Sequence, residues 1–439
     1  MHFRSSLEDA PIGIAVVVIG ISLLISLLAY LRLSKHEGSY VNILSPSFLI
    51  AIPAYYLLPL IYIYFFGTSA SGYAYTYVYL TLAAESVAFV YAYVRTGRKI
   101  IAIPFGRSYD RFGFLSIACL LGGTLAYLPL ILKFRQDLLD PRQIYIQTRT
   151  GFGTEFFISS TLAYLAVILI LFARCSRVTK TIVVLAAVGL LSLHGSKGET
   201  LAVPSLLLLF FVYVRGRKIK FGYALVLFSV TGIFGLLLFA ATMTLTGGLV
   251  DILDALSNYS DYTRNAMLVI DSHVPLQYGR LTFEANTLAI VPRALDPGKP
   301  KNFGPFFLAE QFYPESFDVD AGSPAFGVGI QYADFGYLAI LYIIIFAMLR
   351  GWLARVFVNR LAFTKHPADF LMVAFLADIP LFPVGIGWLL PETLVVAMLL
   401  SFLSSVGARK VYRERIGPKF IVAAPEMNPL TDAGSSQDG

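Results

Sequence analysis

The chain has 439 residues, of which 57% are hydrophobic and only 14% charged. A soluble domain of that length needs far more charge to cover its surface, so much of this surface must face lipid, which excludes an ordinary soluble enzyme or binding module. The net charge of +7 would point to nucleic acid in a soluble protein; in a chain this apolar it reflects basic loops on one side of a membrane, and no nucleic-acid partner is expected.

A hydrocarbon core about 30 Å thick needs roughly 20 apolar residues at about 1.5 Å rise each. Runs that meet or approach this occupy 12–31, 47–67, 75–94, 113–133, 155–174, 181–194, 200–214, 221–245, 337–353, 368–390 and 392–408. The expected fold is therefore all-α and polytopic, with about eleven transmembrane helices. The first run has a thin, mixed-charge flank and no small-residue cleavage site, so it reads as a retained span. The pair 181–194 and 200–214 is short and reads as two helices joined by a tight turn from His194 to Glu199. Cys119 and Cys175 are isolated apolar fillers that make neither a disulfide framework nor a metal spacing.

Charge sets the expected sidedness. Loops around 32–36, 95–111, 174–180, 215–220 and 350–365, with the tail 409–419, hold 23 of the 34 Lys and Arg. That side is expected to be cytoplasmic, with the N-terminus outside and the C-terminus inside. Two outside segments exceed short turns, 134–154 and 246–336. The larger mixes aromatics, prolines and charges as a folded loop does. Its stretch 250–270 has helical spacing at Ile252, Ala255, Leu256 and Tyr259. Beyond it Pro292, Pro297, Pro300, Pro305 and Pro314 forbid long regular structure. The organisation expected is one transmembrane domain over 1–420 that includes both loops, followed by a polar, disordered cytoplasmic tail at 421–439.

The outside cations concentrate in these loops against the charge bias. Arg142 and Arg149 flank the first; Arg264, Arg280, Arg293, Lys299 and Lys301 punctuate the second. Guanidinium groups bind phosphate bidentately and keep their proton, which suits a lipid-linked pyrophosphate at the membrane surface. The alternative is contact with lipid headgroups, or ion pairs with Asp137, Asp140, Asp261 and Asp296. An Arg-ten-Gly spacing occurs once in each loop, Arg142 to Gly153 and Arg293 to Gly304. The turn His194-Gly-Ser-Lys197-Gly-Glu199 lacks P-loop spacing. Its charges either face a cavity or form a Lys197–Glu199 pair closing a hairpin, since intramembrane charge costs roughly 2.5–3.5 kcal/mol or more. Asp318-Val-Asp320 has the form of a metal-holding Asp-x-Asp pair, but no hydrophobic strand precedes it, so no metal is assigned. Glu85 and Asp378 lie inside spans, where a protonated carboxyl bonded to a neighbouring helix is expected in preference to a proton relay.

With these residues in view, the chain resembles the Wzy-type oligosaccharide repeat-unit polymerases of bacterial inner membranes over about residues 10 to 410. The paired Arg-ten-Gly loops match those described for such polymerases. His-Gly-Ser-Lys-Gly at 194–198 is similar to the family's Gly-Ser-Arg-Gly turn, with Lys197 where arginine is usual. Pro292-Arg293 through Pro297-Gly-Lys299-Pro300, and Gly322-Ser-Pro324 to Asp334-Phe-Gly336, resemble further family stretches. The resemblance implies a GT-C-like glycosyltransferase fold related to O-antigen ligases and SEDS polymerases, undecaprenyl-pyrophosphate-linked oligosaccharides as substrates, and no cofactor. For such a reaction Arg142, Arg280 and Arg293 are expected at the leaving pyrophosphate, supported by Arg149, Lys197, Arg264 and Lys299, with a general base among Glu284, Asp334, His194 and His273. A chain-length regulator and a flippase are implied partners. An O-antigen ligase and a lipid-linked oligosaccharide flippase stand as alternatives; the matching halves that mark many transporters are not visible in the sequence.

Overall fold

The computed structural model describes residues 10–97, 111–136, 138, 144, 152–195, 197–241, 260–288, 291, 296–315, 317 and 325–377, apart from the side chains of residues 153, 197, 198 and 233–241. All regular structure among the described residues is helical. In chain order the helices before the large loop are α1 (Ile12–Glu37), α2 (Ser45–Phe66), α3 (Gly72–Arg95), α4 (Phe112–Lys133), α5 (Gly153–Phe172), α6 (Arg177–Leu193), α7 (Lys197–Leu209) and α8 (Phe221–Ala241). The large loop contributes α9 (Asp261–Asp271), α10 (Arg280–Thr287), α11 (Phe306–Phe312) and α12 (Gly329–Phe335). After it come α13 (Ala339–Thr364) and α14 (Pro367–Leu376). Among the described residues six helices are long and apolar enough to cross a membrane and three more are apolar but shorter, so the chain is a polytopic membrane protein. Residues 378–408, which hold Asp378 and the last expected span, lie outside the described residues, as do the 421–439 tail and Ile252 to Tyr259.

Local chemistry accounts for the boundaries. Ser71 caps α3 by accepting the Ala74 N–H at 3.1 Å, and Ser176 caps α6 through Thr179 N–H at 3.0 Å. Gly38, at φ 67°, ends α1 in the left-handed conformation that glycine adopts without penalty. In α2 the prolines at 53 and 59 are absorbed by a π turn over Ile52–Leu57, so the helix stays continuous.

Two groups of helices pack side by side. In one, α1, α3 and α13 run parallel: Ala10 bonds Ala70 and Ser22 bonds Tyr79, and farther along Glu37 meets Tyr93 while Arg350 meets Glu85. Their first residues therefore share one face of the bundle. Gly351 makes the α3–α13 crossing possible, because a Cβ there would lie 2.3 Å from the Phe89 carbonyl oxygen. The other group surrounds α5, whose residues from Ala163 to Ile170 are at most 1% exposed. A helix apolar all round belongs in a bundle centre, and α4, α6 and α7 cover it.

Two expectations change here. The charge at Arg350 does not end the ninth span: α13 continues to Thr364, and Arg350, Arg355 and Arg360 all project from a helix. Arg355 lies over the Tyr93 ring at 5.3 Å and Arg360 pairs with Asp369 at 2.7 Å. Protein partners let the helix carry cations that a lipid-facing helix excludes. Nor does the large loop, expected as a folded outside segment, stay clear of the spans. Its helices share a small core of Val269, Leu281, Leu308, Phe326 and Ile330. Within it α9 runs antiparallel to the first turns of α3, with Asp271 accepting from Ser71 N–H and hydroxyl at 2.8 and 2.6 Å and Thr263 bonded to Tyr79 farther along; the Tyr262 ring also lies 5.5 Å from Tyr55 of α2.

Candidate active-site cavity

The descent of α9 beside α3 leaves a cavity of about 490 Å³ between α3, α13 and the loop helices, within the size range of small-ligand sites. Its upper wall is polar and uncharged, formed by Thr263 of α9, Thr282 and Asn286 of α10 and Gln331 of α12. Tyr55, Tyr262 and Tyr342 add aromatic faces, and Val78, Leu82 and Ile343 line apolar walls. Hydroxyl and amide groups beside aromatic faces suit a polyhydroxylated ligand, because they donate and accept without demanding a charge.

The floor is charged. Glu85 Oε1 lies 3.9 Å from Arg350 Nη1, with the carboxylate side chain 39% exposed and the guanidinium 11%. Arg350 is fixed on its other sides: its Nε donates to the Leu376 carbonyl at 3.1 Å, and it lies over the Phe89 ring at 5.4 Å. A smaller recess of about 80 Å³ shares Tyr55, Leu82, Glu85 and Arg350 and runs on toward α1 and α2 at Ser26 and Ser47. Glu85 is the only carboxylate among the described residues that line either space.

The chain is 33% identical over 389 residues to the O-antigen polymerase of Salmonella typhimurium, and equally to that of Salmonella typhi. The match covers 88% of this chain and 95% of each of those proteins. The chain belongs to the O-antigen polymerase family. The Wzy resemblance read from the loop motifs is thereby borne out. No protein-family model and no solved structure matches the chain.

Several residues singled out from the sequence fall in the loop that walls the family member's cavity, but engaged elsewhere. Asp334 is fully buried and accepts Leu281 N–H at 2.9 Å, Thr282 N–H at 2.8 Å and the Thr282 hydroxyl at 2.6 Å, which fixes the start of α10. Glu284 accepts the Gly304 N–H at 2.8 Å and lies 3.7 Å from Arg280. Gly304, at φ 57°, needs to be glycine, since a Cβ would sit 3.1 Å from the Ala285 nitrogen; this explains the glycine of the second Arg-ten-Gly stretch. Arg280 is half exposed over Phe307 at 4.9 Å. Arg264 lies over Tyr62 at 4.1 Å and 3.9 Å from Asp261, whose carboxyl is pushed up by burial and drawn back by Arg264. Lys299 is buried, donating to the Val291 carbonyl at 3.1 Å over the Phe303 ring. His273 sits at φ 49° with Nδ1 2.8 Å from the Asp271 carbonyl.

His194 is in the other helix group. Its Nδ1 lies 2.9 Å from Glu199 and its Nε2 3.0 Å from the Ser159 hydroxyl, with Tyr127 and Phe156 against the ring. The order Ser–His–Glu is that of a nucleophile relay, yet Ser159 and His194 are fully buried and neither cavity reaches them. This network joins α5, α6 and α7 and keeps His194 away from both cavities. Arg142, Arg149 and Arg293, the Lys197 side chain and the Asp318–Asp320 pair lie outside the described residues; Gly153 begins α5.

Sequence reading missed the floor. Glu85, expected as a carboxyl bonded to a neighbouring helix, does meet one, but its partner there is the Arg350 guanidinium and it stands at the edge of open space. Arg350 was counted among loop cations. The spacing of Glu85 and Arg350 on separate helices carries no local signal; an acid in one apolar run with an arginine just past the middle of another was the clue available.

Proposed function

We propose that the protein joins undecaprenyl-pyrophosphate-linked oligosaccharide repeat units into a bacterial surface polysaccharide at the periplasmic face of the inner membrane, releasing undecaprenyl pyrophosphate. The observation that carries this reading is the polar, tyrosine-lined cavity beside the large loop, in a chain of the O-antigen polymerase family. In the proposed topology the chain crosses the bilayer eleven times in a GT-C-like arrangement, N-terminus outside and C-terminus in the cytoplasm. The common starting face of α1, α3 and α13, next to the loop helices, supports that topology.

Two lipid-linked oligosaccharides dock from the outer leaflet. A hydroxyl at the non-reducing end of the incoming repeat attacks the anomeric carbon of the growing chain, and the electron pair of the old bond leaves on a phosphate oxygen. Arginines aimed at that oxygen stabilise the developing charge with no metal required. Arg142, Arg149 and Arg293, with Arg264 and Arg280 on α9 and α10, are assigned that task, and Lys197 supports them. Lys299 is withdrawn from the set, because its ammonium is held by its own loop.

The test uses purified protein in detergent with undecaprenyl-pyrophosphate-linked repeat units and chelator, without nucleotide sugar, read as a product ladder. Multimers are the expected result. No ladder from a protein that binds the substrate would overturn the polymerase reading in favour of a ligase lacking its acceptor or a flippase.

A further inference from the structure

The reaction proposed above needs a group to take the acceptor's proton, and the candidates read from the loops do not supply one. Both Asp334 oxygens and one Glu284 oxygen already accept hydrogen bonds that hold α10 and the 304 turn, His194 is sealed in the other helix group, and His273 lies on a strained turn. None of them lines the cavity. Glu85 does. It stands roughly 20 Å along α3, at about 1.5 Å per residue, six residues beyond the level where Tyr79 meets α9.

We propose that Glu85 is the general base of chain joining and that Arg350 is its positioning residue. The proposal rests on the polymerase reading of the cavity. Glu85 accepts the proton of the acceptor hydroxyl as the acceptor oxygen bonds to the anomeric carbon. The bond from that carbon to the pyrophosphate oxygen breaks, and its electron pair departs with undecaprenyl pyrophosphate. The neutral Glu85 then returns its proton to water or to the leaving pyrophosphate, so no oxidant, reductant or metal enters the balance. Arg350 supplies what a base requires of a third group: it holds the Glu85 side chain at the cavity while its own orientation is set by the Leu376 carbonyl and the Phe89 ring. Thr263, Asn286 and Gln331 above provide neutral partners for the remaining sugar hydroxyls.

The experiment compares wild type and Glu85→Gln in the detergent ladder assay, alongside binding of the radiolabelled lipid-linked repeat unit. A positioned general base is worth about 10²–10⁴-fold. The expected result is at least about 100-fold slower extension with repeat-unit binding unchanged, and loss of the acid limb of the rate–pH profile. Arg350→Lys, which keeps the charge but not the planar fork, should slow extension and shift that limb. If Glu85→Gln does not fold, Glu85→Asp serves: a slowed rate with a displaced limb supports the proposal, and an unchanged rate and limb contradict it. A folded Glu85→Gln protein that extends at the wild-type rate, keeps its acid limb or loses rate only through lost binding overturns the base. Wild type that binds repeat units but makes no ladder overturns the polymerase reading itself.

Discussion

Two polar pairs are set into the membrane part of this molecule, and their surroundings separate them. Glu199 and His194 are closed in by Ser159, Tyr127 and Phe156, at the end of a group whose central helix α5 has no exposed residue over more than two turns. Glu85 and Arg350 sit in the other group, at the foot of about 490 Å³ of open space. The first pair has the more familiar catalytic order of residues and the second has the access. Charge inside a membrane protein serves packing where it is sealed and chemistry where a substrate can reach it.

The comparison is broken most severely by changing the crossing that creates the cavity. Gly351→Val would drive side-chain atoms into the Phe89 carbonyl, beyond the usual 1–3 kcal/mol cost of overpacking. The expected outcome is loss of the monodisperse peak in size-exclusion chromatography. Next comes the sealed pair. Glu199→Gln weakens the hydrogen bond that the buried carboxylate accepts from His194 and is expected to cost about 2 kcal/mol, read as a lower melting temperature, with extension rate per folded molecule preserved. A fall in that rate comparable to the Glu85 variant would erase the distinction.

The smallest effect concerns pH and lies at neither pair. His366, between α13 and α14, accepts the Ala368 N–H through Nδ1 at 3.2 Å, and burial together with Arg360 pushes its pKa down to about 4 from an ordinary 6.5. At neutral pH it is uncharged whether the chain is folded or not. As the pH falls from about 6.5 to about 4 the unfolded chain takes up a proton the folded one refuses, so stability declines through that window and no further below it. The melting temperature of wild type should therefore drop more steeply between pH 7 and pH 4.5 than that of His366→Asn, whose side chain can still cap α14. Parallel slopes would remove His366 as a titrating cap.

Much of the fold was legible because lipid imposes a simple rule on length and polarity. The starts of α1, α3, α4 and α8 lie within three residues of the apolar runs, and the short pair around His194 is a hairpin. The prolines after 290 do keep the loop helices short. The cavity was not legible, because it depends on the register of α3 against α13 and on α9 sinking beside α3, neither of which leaves a periodic mark. Arg350 shows the same limit: by charge it resembled a loop cation, and only its partners on α3 and α14 reveal why it is tolerated in a helix. Asp334 and Glu284 erred in the opposite sense. They carried the right chemistry in the right loop, but backbone N–H groups had prior claim to their oxygens.

The most direct measurement sets Glu85→Gln and Glu199→Gln side by side in the same ladder assay, each scaled to its folded fraction. The contrast between an open and a sealed pair predicts a folded Glu85→Gln protein that binds repeat units but builds no ladder, and a less stable Glu199→Gln protein that builds one at the wild-type rate. A wild-type ladder from Glu85→Gln, with none from folded Glu199→Gln, would contradict it and move the chemistry to the helix group around α5.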